Sequence, residues 1–261
     1  MRAVIVTTTY KPSADIEAKG RAAAQRLGGR YAPRGGASVR KLQDRFPGAS
    51  VVVLGPNTLE WHPEQGGKPF FFHPGMSLVR AKRLAAGERD AMLDACRLEP
   101  GDAIVDCTAG LGSDAILFSY AGGPDSRVVA VESQLPLHYI VSQGLRSHET
   151  GWPAFDEAMR RVEPVHADHS AYLRSLSDRS VDVVYFDPMF GDPVRTSAGI
   201  APLRAFANDA PVTEEAIEEA RRVARKTVVM KERGDAEAWR RFGFTVEARP
   251  NAPVAYGVIR I

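Results

Sequence analysis

The stretch Ile104-Val105-Asp106-Cys107-Thr108-Ala109-Gly110-Leu111-Gly112-Ser113-Asp114-Ala115 restricts the fold of this chain more than any other. An apolar run ending in an acid, followed by a glycine turn and the apolar start of a helix, is how an α/β domain presents a cofactor loop. Gly110 and Gly112 let the backbone turn tightly and approach a ligand, and the free N–H groups of the new helix face it.

Two cofactors satisfy this loop, because Gly110-x-Gly112-x-x-Ala115 also fits the dinucleotide pattern. A carboxylate at Asp106 would repel a pyrophosphate across a partly dry site. S-adenosylmethionine (SAM) has no phosphate, and its ammonium and sulfonium groups favour that charge, so SAM is the expected cofactor.

From residue 102 onward the pattern alternates strand and helix, as in a parallel sheet with crossover helices. Strands are predicted at 103–106, 127–131, 162–166, 181–186 and 227–231, with helices near 113–120, 135–145, 169–175 and 213–225. The last two strands, near 244–248 and 254–259, have so short a connection that they must form an antiparallel hairpin. A mainly parallel sheet with an antiparallel last strand is the Rossmann-like arrangement of class I methyltransferases. Ahead of it, strands at 3–7 and 51–54, a helix capped by Ser13 and a second helix from about Ser38 to Phe46 predict a small α/β domain over residues 1–69, with the catalytic domain over 70–261. The run Phe70-Phe71-Phe72 reads as core, and His73 as a residue near the cofactor mouth.

At 261 residues the chain can bury a sizeable core. No apolar run spans a bilayer and no signal peptide is legible at the amino terminus, which points to a cytoplasmic protein. Two cysteines, Cys96 and Cys107, exclude a disulfide framework and a cysteine metal cluster. His166, Asp168 and His169 are close in sequence but do not converge as ligands, so no metal is expected. Charge is uneven. Residues 1–46 carry ten Lys and Arg against three Asp and Glu, a net +7, which leaves −5 for the rest of a chain whose total is +2. Such an asymmetry fits a phosphate-bearing partner, and equally an arginine-rich solvated surface.

Glu132 ends the second strand of the catalytic sheet, 20 residues after Gly112. An acid there accepts from both ribose hydroxyls of an adenosine, whether of SAM or of NAD. Asp168, beyond the third strand, is placed for the adenine amino group. The discriminating signal is Tyr185-Phe186-Asp187-Pro188-Met189-Phe190, the pattern of the Asp-Pro-Pro-Tyr type loop of amino-methylating enzymes. An exocyclic base amine is a poor nucleophile, since its lone pair is delocalised into the ring. Asp187 and the Pro188 carbonyl, accepting its two N–H bonds, would favour the pyramidal form, and Phe190 would stack on an unstacked base.

Together with His166-Ala167-Asp168 and Val228-Val229-Met230-Lys231, these motifs resemble the bacterial small-subunit ribosomal RNA guanine-N2 methyltransferases over roughly residues 70–240. The resemblance implies SAM contacts at Ser113, Asp114, Glu132, Ser133, Asp168, His169 and Asp187. It also implies methyl transfer to a guanine N2 in ribosomal RNA. Where that family carries a lysine-rich segment, this chain has Gly191-Asp192-Pro193-Val194-Arg195-Thr196-Ser197, which leaves a small-molecule or protein amine as the alternative acceptor. A nicotinamide dehydrogenase is the more remote alternative. Lys231 reads either as a phosphate contact or as packing at a strand end.

Overall fold

The computed structural model describes residues 3–64, 67–188, 211–233, 237–247 and 254–261. The chain builds two sheets. The first contains β1 (Ala3–Thr8), β2 (Arg30–Tyr31), β3 (Ala49–Leu54), β4 (Leu59–His62) and β5 (Phe70–Phe71), in the order β2-β1-β3-β4-β5. β1 runs parallel to β2 and β3, and β4 and β5 are added antiparallel. Helix α1 (Ala14–Arg26) begins at the predicted cap, and α2 (Val39–Arg45) just after the predicted start at Ser38. Ser13 accepts from the Ile16 N–H at 3.3 Å and Ser38 from the Lys41 N–H at 3.2 Å. Neither β4 nor β5 was expected, because strands of four and two residues leave almost no periodicity to read. The pleat of β5 splits the three phenylalanines: Phe70 and Phe72 face the core, while Phe71 is 51% exposed.

The second sheet has seven strands: β6 (Ala103–Asp106), β7 (Arg127–Glu132), β8 (Glu163–His166), β9 (Val181–Phe186), β10 (Ala224–Arg233), β11 (Thr245–Glu247) and β12 (Val254–Arg260). Their order is β11-β12-β10-β9-β6-β7-β8, and β12 is antiparallel to both neighbours. The remaining pairs are parallel. The order reverses between β6 and β9, and a doubly wound sheet opens a ligand crevice at such a point. Helices α3 (Met76–Ala85), α4 (Ala91–Cys96), α5 (Ser113–Gly122), α6 (Leu135–Ser147), α7 (Pro153–Arg161), α8 (His169–Ser175), α9 (Glu214–Val223) and α10 (Ala238–Phe242) pack around it. Of these, α4, α7 and α10 went unpredicted. The first is announced only by Asp90, whose carboxylate caps it through the Met92 and Leu93 N–H groups.

One apolar core joins the two sheets. Val4, Val6 and Val52 of the first belong to the same buried cluster as Ile116, Leu137, Val141 and Leu145 of the second. The junction is tightest where Phe72 lies against α6: a Cβ at Gly144 would fall 2.0 Å from the Phe72 ring, so only glycine fits there. Burying a phenylalanine in this way contributes roughly 2 kcal/mol.

Candidate active site

The site follows from strand register. Asp106 lies level with Ala130 and Tyr185, Glu132 with His166, and Phe186 with Met230. The residues at these carboxyl ends, namely Glu132, Asp187 and Lys231, therefore emerge on one rim around the turn after β6.

The turn is held from three sides. Ala109 N–H donates to the Val131 carbonyl at 3.1 Å, and Gly110 N–H to Glu132 Oε2 at 3.2 Å. Asp187 N–H donates to Thr108 Oγ1 at 2.5 Å. Gly110 and Gly112 have φ of +50° and +74°, the left-handed region that a side chain would strain. Gly112 also caps α5, so the amide groups of Ser113 and Asp114 open the helix toward the crevice.

Asp106 behaves differently from its sequence-based expectation. It is 2% exposed, and its carboxylate accepts from the Thr108 N–H at 3.1 Å. Burial, reinforced by Asp114, pushes its pKa well above the carboxylate range. Asp106 braces the turn from beneath through that bond. Among the described residues the two cations at the site are Arg80, which holds Asp90 and Asp114, and Lys231, which holds Asp187. Neither is free for a phosphate.

Around Glu132 the partners are backbone donors. Oε1 accepts from Gln134 N–H at 2.7 Å, the Ser133 hydroxyl also donates to the carboxylate, and burial raises its pKa. His166 Nε2 donates to the Ser133 carbonyl at 3.0 Å, which fixes that turn from β8. Asp168 is exposed and caps α8 through the Ala171 N–H at 3.0 Å. His169 turns its ring edge-on to Phe186, with centroids 5.8 Å apart, and burial lowers its pKa.

Around Asp187 the partners are charged. Lys231 Nζ lies 2.7 Å from Asp187 Oδ2, because β10 runs parallel beside β9 and both residues follow a paired position. Burial, with Asp114 adding to it, pushes Asp187 up to about 6 against the pull of Lys231. Asp187 raises Lys231 in return. Asp114, expected as a cofactor contact, has both oxygens engaged: Arg80 reaches Oδ1, and the Tyr185 hydroxyl donates to Oδ2 at 2.9 Å. Arg80 also grips Asp90 through two bonds of 2.8 Å. Sequence reasoning missed this network of Arg80, Asp90 and Tyr185. Its one sequence signal is an arginine between the buried Ser77 and Ala81 of α3.

His73 does border the loop. A Cβ on Gly75 would lie 3.3 Å from His73 Nδ1 and 3.8 Å from Ser113 Oγ, so the 73–75 turn passes over the start of α5. Burial and His148 lower the His73 pKa. Pro188 follows Asp187 and is half-buried, while Phe190 lies outside the described residues. Among the described residues no group of three His, Cys, Asp or Glu side chains converges on a metal position. No helix among them is long and apolar enough to cross a membrane.

Comparison with known proteins agrees with this geometry. The chain is 42% identical over 256 residues to the uncharacterized protein YpiP of Bacillus subtilis, covering 98% of this chain and 99% of that one. It is 34% identical over 115 residues to the ribosomal RNA small subunit methyltransferase J of Acinetobacter baumannii, a match spanning 43% of this chain and 39% of that protein. Against the protein of that name from Shewanella amazonensis, identity is 28% over 180 residues, 67% of this chain and 71% of the other. The fold matches that of a SAM-dependent methyltransferase from Neisseria gonorrhoeae, with a TM-score of 0.60, 16% identity and coverage of 98% and 95%. The family model of SAM-dependent methyltransferases matches residues 60–242, more than half of the chain, and the protein belongs to that family.

Proposed function

We propose that this methyltransferase acts in the cytoplasm on the exocyclic N2 amine of a guanine in ribosomal RNA. The observation that carries the reading is the placement of Asp187. It stands at the end of β9 beside the glycine turn, with Oδ2 fixed by Lys231 and its other oxygen without a partner among the described residues.

The donor and acceptor set fits SAM. Glu132, oriented by the Gly110 and Gln134 N–H groups, holds the ribose hydroxyls. Ser133, Asp168 and His169 lie on the adenine side, and Ser113 with the open amide groups of α5 on the amino-acid side. Bound SAM would supply a methyl group on a sulfonium, which a rim rich in carboxylates and, among the described residues, with its cations already paired favours. Asp187 and the Pro188 carbonyl each accept one N–H of the amine, hold it pyramidal and aim its lone pair at the methyl carbon. Ionised Asp187 would take the proton that the methylated nitrogen gives up and release it to solvent. Phe190 stacks on the flipped base. RNA as the substrate is supported by the names of the relatives and by the cations of the first sheet. Lys11, Arg26, Arg30, Arg40, Lys41 and Arg45 make no ion pair among the described residues.

Methyl-labelled SAM, incubated with the protein and RNA from a strain lacking its gene, tests the reading. Label in N2-methylguanosine, lost by about 10²–10³-fold in Asp187→Ala with SAM affinity retained, is the expected result. Label only in a small amine or a protein would move the acceptor class and leave the methyl-transfer site standing.

A further inference from the structure

Five large apolar side chains are exposed among the described residues: Tyr10, Phe71, Met76, Val79 and Ile261. Three of them fall within residues 71–79, with exposures of 51% for Phe71, 60% for Met76 and 41% for Val79. Met76, Val79 and Arg83 recur at helical spacing along the outer face of α3, and Lys82 stands beside them. Both Lys82 and Arg83 are exposed, and neither makes an ion pair among the described residues. Residues 68–87 contain no Asp or Glu; Glu60 lies opposite Phe71 in β4, where His62 holds it, and Glu88 follows the helix.

The stripe borders the active site. The 73–75 turn that opens α3 crosses Ser113, and Phe71 meets the His73 ring edge-on with centroids 5.7 Å apart. From the inner side of the same helix, Arg80 reaches Asp114.

We infer that Phe71, Met76 and Val79, flanked by Lys82 and Arg83, hold an unstacked segment of the RNA substrate while its guanine occupies the site. An aromatic ring and apolar side chains give bases a sequence-tolerant platform, and two free cations beside them meet the phosphates. A second copy of the chain suits this surface less well. Self-pairing would set the same cations against each other, and three side chains fall well short of the roughly 800 Å² per partner of a stable interface. The inference rests on the RNA reading of the function and adds to it the surface that presents the substrate.

The test compares the full-length wild-type protein with Phe71→Ser and with the double variant Lys82→Ala/Arg83→Ala. All three positions are exposed, and thermal melting confirms the fold. Binding is read by fluorescence anisotropy on a labelled, guanine-containing single strand of about 12 nucleotides and on the same sequence as a duplex. Phe71→Ser is expected to weaken single-strand binding about tenfold and duplex binding far less, since only unpaired bases stack. The double variant is expected to lower the slope of log affinity against log salt by about 1.4. KM for RNA rises in both, with kcat and SAM affinity kept. Variants that bind and methylate RNA like the wild type would overturn the inference and leave the proposed function intact. A wild-type protein that labels no RNA would remove the proposed function and this surface role with it. Sedimentation showing a dimer that Phe71→Ser dissociates would assign the stripe to a second copy and overturn the inference.

Discussion

The two halves of the site use carboxylates in opposite ways. Glu132 is held almost wholly by backbone N–H groups, whereas Asp187, Asp114 and Asp90 are each held by a cation, Lys231 or Arg80. Backbone donors fix a carboxylate without cancelling its charge, which suits a neutral diol accepted by hydrogen bonds. Cation partners offset charge as well as fixing position, so that half of the site depends on protonation and on every member of the network. The comparison predicts that changes near Glu132 alter cofactor affinity, while changes near Asp187 alter rate and pH dependence.

The largest effect on binding is expected from Glu132→Ala. Loss of a charged acceptor that also braces Gly110 should raise the SAM dissociation constant about 10–100-fold in calorimetry. An equal loss of SAM affinity in Asp187→Asn would erase the distinction between the halves. Lys231→Met comes next. Without its cation Asp187 should hold its proton to higher pH, so the acid limb of the kcat profile should move upward by about one pH unit. An unmoved limb would show that Lys231 only packs.

The wild-type pH dependence has a definite sign. Asp187 is pushed up to about 6 from an ordinary 3.8, so the native state binds more protons than the unfolded one between those values. Stability therefore falls as pH rises through that window, and the buried Asp106 acts in the same direction. Under the proposed function methyl transfer needs ionised Asp187, and its rate is expected to rise as pH passes about 6. Denaturant melts and initial rates over this range should diverge; parallel curves would contradict the assignment. The smallest effect is expected from Tyr185→Phe, which removes one of the bonds holding Asp114. A cost of about 1 kcal/mol, or a Tm drop of about 2–4 °C, is expected by calorimetry, with SAM affinity unchanged.

Much of this was legible in the sequence wherever the signal is local. The glycine turn, the cap at Ser13 and the antiparallel final hairpin each depend on residues a few positions apart. What escaped was carried by contacts across the fold. Asp187 and Lys231 are 44 residues apart and meet because β9 and β10 are neighbours. Arg80 and Asp114 are 34 apart and meet through the packing of α3 on α5. Asp106 shows the limit from the other direction. Its charge was read from residue type alone, and burial, which pushes its pKa well up, cannot be read from the sequence. Asp168, expected at the adenine, also serves as a helix cap, a role the Asp-x-x spacing before α8 allows.

The seating of Phe72 against Gly144 bears on inheritance. A recombination event that brought in a different front sheet would have to bring a matching α6 as well, since any side chain at position 144 collides with the ring that locks the halves together. The first sheet and the catalytic sheet are thus constrained to change as a pair. A gene trimmed to the catalytic sheet alone would encode a protein with its α6 face open to water and prone to aggregate.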